Sequence, residues 1–249
     1  MTGKNVNATK NLKLIMVNAQ QWLESQAEYN TKEKRNKVKN LTICYKSLEG
    51  SLNLNEFTDL EELDCAWNNL TSLELGNCQQ LRELWCGSNQ LKTLDLNGLT
   101  QLEKLECGDN FLNSFDYSQL NPTQLTYLNI SNNNLPEQDL SVFSPLINLK
   151  TLWIDNHDKE KIQQGIYNRW VGSLKPLRNL LKLKKLDISN TDIDSGLEYL
   201  GNSLEEIICT TKERPESAVQ KIAEELIPYN GEIKNWRKWE IAKCCFFNQ

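Results

Sequence analysis

The fold is decided by a motif that occurs three times in succession: LEELDCAWNNL at residues 60–70, LRELWCGSNQL at 81–91 and LEKLECGDNFL at 102–112. All three copies fit the pattern LxxLxCxxNxL, and their first leucines lie 21 residues apart. A fixed period of this kind predicts a solenoid, because each repeat buries its apolar side only against its neighbours.

Related units precede and follow these three copies. They are VKNLTICYKSL from Val38, LTYLNISNNNL from Leu125, LKTLWI from Leu149, LKKLDISNTDI from Leu183 and LEEIIC from Leu204. Successive starts are 22, 21, 21, 23, 24, 34 and 21 residues apart. We therefore expect a curved α/β solenoid of about eight units, with a parallel β-sheet on its concave face and helical caps at both ends.

The spacing within a unit has a physical reason. Counting from the first leucine, positions 4 and 6 are apolar and alternate with polar residues, which predicts a short strand with one buried side. The asparagine at position 9 follows this strand, where its amide can bond backbone groups of a tight turn. Lys46, His157 and Thr191 are read as departures from this asparagine. We assign the asparagine column to structure and not to binding.

The chain divides into four predicted parts. We expect an N-terminal helical cap over residues 1–37, the solenoid over 38–212, a helical insertion at 157–182 within its sixth unit, and a C-terminal helical cap over 213–249. The first cap contains a predicted helix at 18–28, in which Asn18 is the N-cap and Gln21 the third helical residue.

Two further helices are expected from apolar residues at helical spacing. One lies in the insertion, where Trp170 is expected to anchor it; its apolar residues are Ile162, Ile166, Trp170, Val171 and Leu174. The other lies in the C-terminal cap between Pro215 and Tyr229, and a second helical piece with Trp236, Trp239 and Ile241 follows it. We interpret these tryptophans as core of the cap.

Charge and cysteine use limit the possible partners and the compartment. The formal net charge of −5 argues against a general binder of nucleic acid or of anionic membranes. We find neither a run of about 18 apolar residues nor a signal peptide. Cys65, Cys86, Cys107 and Cys209 share position 6 and point inward, and free buried thiols fit a reducing compartment. A cytoplasmic location is therefore expected, although N-x-S/T sequons occur at Asn7, Asn40, Asn69 and Asn129.

The sequence lacks the usual signals of an enzyme. His157 is its single histidine, so a Ser-His-Asp or Cys-His arrangement has little to build on. There is no Gly-rich phosphate loop, no HExxH and no CxxC pair. We therefore expect a non-enzymatic protein without catalytic residues, cofactor or metal site.

Function is expected on the concave face, where the side chains at positions 3, 5, 7 and 8 point out from the strand surface or lie at its rim. Tryptophan and tyrosine are enriched at the energetic centres of interfaces, and here they lie among carboxylates. We predict a protein or peptide partner with basic and apolar character. The alternative is that Trp85 and Trp153 only cover the sheet. The predicted partner-binding residues are Tyr45, Glu62, Asp64, Trp67, Glu83, Trp85, Glu106, Asp109, Tyr127, Asn129, Trp153 and Asp187.

The repeat string over residues 38–212 resembles the leucine-rich repeat (LRR) superfamily. The segments NAQQWL, LEELDCAWNNLTSLEL, GIYNRWVGSLKPL, LDISNTDIDSGLEYL and TKERPESAVQKI are most similar to the expanded intracellular LRR proteins of root-symbiotic fungi. The resemblance implies a curved solenoid with a role in protein–protein interaction, and it supplies neither a named partner nor catalytic residues.

Two functions stay open at this point. The first is a non-catalytic interaction module that binds a protein or peptide on its concave face. The second is a regulatory or substrate-recognition subunit, or an inhibitor, of an enzyme assembly. The sequence decides neither the partner nor the oligomeric state.

Overall fold

A computed structural model describes residues 16–230 and 233–234. The strands are β1 (Val17–Asn18), β2 (Asn40–Thr42), β3 (Leu48–Asn53), β4 (Glu62–Asp64), β5 (Asn69–Glu74), β6 (Glu83–Trp85), β7 (Lys104–Glu106), β8 (Tyr127–Asn129), β9 (Thr151–Trp153), β10 (Val171–Ser173), β11 (Lys185–Asp187), β12 (Asp192–Ser195) and β13 (Glu206–Ile208). The α-helices are α1 (Ala19–Ser25), α2 (Lys32–Arg35), α3 (Lys159–Gln163) and α4 (Gln220–Leu226). The 3-10 helices are Tyr117–Gln119, Leu140–Phe143, Lys175–Asn179, Leu197–Tyr199 and Ile227–Tyr229.

The predicted solenoid is confirmed by one long parallel sheet. Eight strands run in the order β2-β4-β6-β7-β8-β9-β11-β13, one from each unit. Each strand consists of positions 3 to 5, and equal positions of neighbouring units face each other, as in the pairing of Leu63 with Leu84 and of Leu84 with Leu105. Two smaller parallel sheets, β1-β3-β5 and β10-β12, form from later residues of the units, joined in the first case by β1, which precedes the first unit. Every repeat position therefore becomes a continuous column of side chains.

The core lies between the long sheet and the outer half of each unit. Leu63, Leu84 and Leu105 at position 4 have no exposed surface. Cys65, Cys86 and Cys107 at position 6 are equally buried, while Cys209 is half-buried. Burial raises the pKa of the Cys65, Cys86 and Cys107 thiols above the ordinary value, so these side chains stay neutral and act as small packing groups.

The asparagine column connects each unit to the one before it. In Asn110, the side-chain Nδ2 donates to the carbonyl of Cys86 at 3.1 Å, and Oδ1 accepts from the backbone N–H of Leu91 at 3.0 Å. Asn68, Asn89 and Asn133 bond the preceding unit in the same way. A buried amide thus satisfies backbone groups that no strand pairing reaches.

In the sixth unit, Asn168 occupies the position of the asparagine in this column. The Asn168 Nδ2 donates to the carbonyl of Ile130 at 2.8 Å, and its Oδ1 accepts from the N–H of Leu135 at 3.2 Å. The prediction that His157 replaces the asparagine is wrong, because residues 157–167 are inserted between positions 8 and 9 of the motif. Asn156 bridges the junction, since its side chain bonds both the N–H and the carbonyl of Asn168.

The insertion is less helical than expected. Its α-helix is limited to α3, and Trp170 lies outside it. The prediction that Trp170 anchors this helix is wrong: Trp170 takes position 11, which is leucine or isoleucine in the other complete units, and is fully buried. Its ring packs against Phe143 and Tyr117, with ring centroids 5.1 and 6.4 Å away. A longer helix was predicted because the residues from Asn168 onward were not recognised as the continuation of the repeat motif.

Helices lie at both ends of the described chain. In α1 the N-cap Asn18 accepts from the N–H of Gln21 at 3.0 Å, and Leu23 is buried. At the other end, α4 buries Ile222 and Leu226. The predicted helical piece with Trp236, Trp239 and Ile241 lies outside the described residues. None of the helices that the structure describes is long and apolar enough to cross a bilayer.

Candidate functional site

The sheet register aligns position 5 of every unit into one column on the concave face. From the second unit to the seventh, the column reads Asp64, Trp85, Glu106, Asn129, Trp153 and Asp187. Neighbouring strands lie about 4.8 Å apart, so three strand spacings place the backbones of Trp85 and Trp153 about 14 Å apart. Two tryptophans therefore flank two polar side chains, those of Glu106 and Asn129.

This column forms the floor of a groove with a volume of about 630 Å³, which we name the concave groove. All predicted partner-binding residues line it except Glu62 and Glu83. Glu62 lines a smaller cavity beside the strands of the first units. The full lining of the concave groove is Cys44, Tyr45, Asp64, Ala66, Trp67, Trp85, Ser88, Glu106, Asp109, Tyr127, Asn129, Ser131, Trp153, Asp155, His157, Asp187 and Ile208.

Aromatic rings contact one another along the groove. Tyr127 lies between the two tryptophans, with ring centroids 5.5 Å from Trp85 and 5.7 Å from Trp153. The Trp85 Nε1–H donates to Glu83 Oε2 at 3.2 Å, and Glu83 in turn pairs with Lys104 at 2.7 Å. Glu83 thus holds the Trp85 ring in place instead of lining the concave groove. All three rings are half-buried, so part of each face stays open to the groove.

The rim of the groove carries a second aromatic pair, Tyr45 and Trp67 at position 8. Their rings are stacked at 5.4 Å with an interplanar angle of 10°, and 70% and 56% of their surfaces are exposed. Both residues have left-handed backbones, with φ of 55° and 56°. Position 8 is left-handed in other units too, where it holds Ser88, Asp109 and Asn132. Bulky residues are disfavoured in this conformation.

The acidic side chains of position 5 also have a local structural role. Asp64 accepts from the N–H of Ala66 at 3.1 Å, Glu106 from that of Gly108 at 3.0 Å and Asp187 from that of Ser189 at 2.9 Å. Each carboxylate therefore caps the turn two residues further on, in the manner of an Asx turn. This role was not predicted from the sequence, although each carboxylate lies only two residues before the N–H that it binds.

Glu106 lies deepest among these carboxylates. Burial raises its pKa to about 7, against the effect of backbone hydrogen bonds from Gly108 and Gly87. A Cβ at Gly87 would lie 1.9 Å from Glu106 Oε2, so only glycine leaves room for the carboxylate there. Among the described residues, no lysine, arginine or histidine forms an ion pair with Glu106. The carboxylate is thus removed from water without a compensating cation.

A second charged group lies where the insertion begins. His157 Nδ1 is 2.7 Å from Asp155 Oδ2, and its Nε2 is 3.7 Å from Asp109 Oδ1. The hydrogen bond to Asp155 raises the pKa of His157. Burial and the charge of nearby Asp155 raise the pKa of Asp187 to about 6. Asp155 and His157 are groove residues absent from the predicted set: Asp155 lies at position 7, from which no residue was selected, and His157 was assigned to the asparagine column.

The insertion covers one edge of the solenoid. From α3, the Lys161 Nζ donates to the carbonyls of Asn110 at 2.8 Å and Asn132 at 3.0 Å, and it lies 4.4 Å from the centre of the Phe111 ring. Burial lowers the pKa of Lys161. This lysine is therefore occupied with holding the insertion against the turns, beside the concave groove.

The chemistry of the concave groove is aromatic and acidic. None of the described residues that line it is a lysine or an arginine. The part of the chain that the structure describes contains no group of three or more His, Cys, Asp or Glu side chains able to hold a metal ion. Such a lining favours a ligand that carries positive charge together with apolar surface.

Comparison with known proteins gives the same architecture. The Leucine Rich Repeat family matches residues 124–146, and no curated protein matches the chain. An LRR protein of Leptospira interrogans superposes with a TM-score of 0.60 at 21% identity, over 73% of this chain and 45% of its own. Internalin C2 of Listeria monocytogenes gives 0.51 at 19% identity, over 77% of this chain and 91% of its own.

A plant structure is similar over a shorter share of its length. The LRR ectodomain of the membrane receptor kinase GASSHO1/SCHENGEN3 from Arabidopsis thaliana, in complex with Casparian strip integrity factor 2, gives a TM-score of 0.51 at 23% identity. The match covers 69% of this chain and 24% of that ectodomain. The chain thus spans less than half the length of the Leptospira protein and about a quarter of the plant ectodomain. The family match and the shared fold support a leucine-rich repeat protein.

Proposed function

We propose that the chain is a non-catalytic interaction module that binds a protein or peptide partner in the concave groove. The observation that carries this proposal is the lining of the groove, where Trp85, Tyr127 and Trp153 lie among carboxylates and none of the described lining residues is a lysine or an arginine. Half-buried aromatic faces offer apolar contact area, and the acidic groups attract basic residues. A partner with basic and apolar character fits both properties.

The rim supports the same proposal. Tyr45 and Trp67 are exposed and have backbones that favour small residues. We expect smaller residues at these positions to make the fold more stable. Ser88 and Asp109 are such residues at the same repeat position. Strain of this kind is commonly kept where a surface has a binding role. In the similar plant ectodomain, an LRR solenoid was solved in complex with another molecule.

Selection from a phage-displayed library of random linear peptides tests the proposal directly. The wild-type protein is expected to enrich peptides with lysine or arginine beside apolar residues, with binding that weakens as salt rises. The double variant Trp85→Ala/Trp153→Ala is expected to lose these peptides. A matched control, Ile147→Ala/Leu181→Ala, removes two exposed apolar side chains outside the groove and is expected to bind like the wild type. Equal binding by both double variants would refute the proposal.

Three finer expectations belong to this proposal. A cytoplasmic location is one of them, and free buried thiols among the described residues are consistent with it. The closer similarity to LRR proteins of root-symbiotic fungi follows from the segments quoted above. Helical caps over 1–37 and 213–249 stay a prediction, and the packing of α1 on β3 and of α4 on β12 supports it for the described residues.

A further inference from the structure

We propose that the middle of the concave groove is a subsite for one arginine side chain of the partner, held between Trp85 and Trp153 above Glu106. This inference rests on the proposed function and specifies the chemistry of its site. We name the set Trp85, Glu106, Tyr127, Asn129 and Trp153 the central subsite.

The walls of the central subsite are aromatic. Trp85 and Trp153 occupy the same column with two strands between them, and Tyr127 contacts both rings from the neighbouring column. The floor between the walls consists of Glu106 and Asn129, which are joined by a hydrogen bond of 2.9 Å. A planar cation that enters here meets aromatic rings at its sides and a carboxylate below.

The charge of the floor is uncompensated. No cationic side chain among the described residues forms an ion pair with Glu106, and the charges of Asp109, in the turn after the same strand, and of Asp64, two strands away, add to the negative potential. Burial raises the pKa of Glu106, and the charges of Asp109 and Asp64 raise it further. A carboxylate accepts about four hydrogen bonds, and Gly87, Gly108 and Asn129 supply three donors. Room for a donor from the ligand is therefore left.

The central subsite is held in its shape before any ligand arrives. Gly87 and Gly108 leave space for the Glu106 carboxylate, since a Cβ at Gly108 would come within 3.0 Å of Glu106 Oε1. The hydrogen bond from Trp85 to Glu83 fixes one wall. A rigid subsite loses little conformational freedom on binding, which favours affinity.

Arginine fits this arrangement better than lysine. The guanidinium group is planar, stacks on aromatic faces and is more weakly hydrated than an ammonium group, so its transfer into a partly buried subsite costs less. The volume of the concave groove, about 630 Å³, leaves space for the flanking residues of a peptide along the column.

Titration with small probes isolates this contact. Nα-acetyl-arginine amide is added to the ¹⁵N-labelled protein, and the indole N–H resonances are followed after assignment with Trp→Phe variants. We expect saturable shifts of Trp85 and Trp153 at millimolar concentrations. Nα-acetyl-citrulline amide, which has the same shape without the charge, is expected to bind at least about tenfold more weakly. The lysine analogue is expected to lie between the two.

Variants connect the signal to Glu106. Glu106→Gln is expected to weaken binding of the arginine probe at least about fivefold, whereas Glu137→Gln, an exposed carboxylate outside the groove, is expected to leave it unchanged. Trp85→Leu keeps apolar cover, lacks the aromatic face and gives an independent reading if Glu106→Gln does not fold. Equal binding of arginine and citrulline probes, or full binding by Trp85→Leu, overturns the inference. Library peptides that need Trp85 and Trp153 but show no arginine preference overturn the inference and leave the proposed function standing.

Discussion

Asn168 directly follows Asn133 in the buried asparagine column, although the whole insertion separates the two along the chain. Asn133 bonds Cys107 and Leu112 of the unit before it, and Asn168 bonds Ile130 and Leu135 in the same geometry. When residues 157–167 are left out, the sixth unit reads LKTLWIDNNRW, which is the complete motif with Trp170 at its last position. The insertion is therefore an addition at one junction of an otherwise regular unit.

Replacement of Asn168 tests its structural role. Asn168→Ala leaves the carbonyl of Ile130 and the N–H of Leu135 without these partners in a buried position, so we expect a loss of about 2–3 kcal/mol in the free energy of unfolding. Urea denaturation measures this loss. The exposed Asn179→Ala is the control and is expected to stay within about 0.5 kcal/mol of the wild type. A similarly small effect at Asn168 would contradict the assigned role.

Deletion of residues 157–167 tests the junction itself. We expect the shortened chain to fold with an unchanged far-ultraviolet circular dichroism spectrum apart from the loss of α3, because Asn156 and Asn168 are already in hydrogen-bond contact. Some stability is lost with the hydrogen bonds of Lys161 to Asn110 and Asn132. A deletion of equal length across the sixth strand, residues 149–159, serves as control and is expected to abolish cooperative unfolding. Failure of both chains to fold would contradict the prediction.

The strained rim should be open to stabilisation. Tyr45→Asn/Trp67→Asn places a residue tolerant of left-handed backbones at two such positions and loses one exposed ring stack. We expect the free energy of unfolding to rise by up to about 1 kcal/mol, since two relieved backbones outweigh one stack. Thermal unfolding provides the measurement, and Tyr199→Asn is a comparison without left-handed backbone. Clear destabilisation of the double variant would show that the stack contributes more than the strain costs.

Stability is expected to fall as the pH rises from 5 to 8. The folded state raises the pKa of Glu106 from 4.5 to about 7 and that of Asp187 from 3.8 to about 6, and it also raises the pKa of His157, which faces Asp109, Asp155 and Asp187. In this window the folded chain holds more protons than the unfolded chain, so each rise in pH removes stability. A scan of the melting temperature against pH measures the trend.

Glu106→Gln separates the contributions to that trend. The variant lacks the Glu106 titration, so the slope between pH 5 and 7 is expected to become flatter, while Asp187 and His157 still titrate. Glu137→Gln is expected to keep the full slope. A melting temperature that rises from pH 5 to 8 in the wild type would contradict the assigned burial of Glu106.

The space beneath Glu106 depends on Gly87. In Gly87→Ala the new methyl group would lie 1.9 Å from the Glu106 carboxylate, so that carboxylate must move toward water. We expect a loss of about 1–2 kcal/mol in stability and the same flattened pH slope as in Glu106→Gln. Gly76→Ala, where the nearest atom is 3.4 Å away, is the matched control. A Gly87→Ala protein with the wild-type pH slope would argue against this packing.

The fold could be predicted from the sequence, because leucines and cysteines at this fixed spacing are all buried together only when the units stack as a solenoid. The position-5 column could be predicted as well, since parallel strands in register align equal positions. The sixth unit was predicted wrongly, because Trp170 lies four residues after Ile166 and four before Leu174, a spacing that is also typical of a helix. The raised pKa of Glu106 could not be predicted either, since it comes from burial of the carboxyl group among residues that include Gly87 of the preceding unit, which approaches it only in space.

The junction between positions 8 and 9 gives the solenoid a place where length can change without a shift in register. Residues 157–167 enter there, and the strands on both sides still pair Leu152 with Leu128 and with Leu186. Equivalent junctions lie at Trp67 and Asn68, at Ser88 and Asn89, and at Asp109 and Asn110, all along one wall of the concave groove. Recognition loops can therefore be inserted or exchanged at this edge one unit at a time, while the pairing of the strands in the long sheet stays the same.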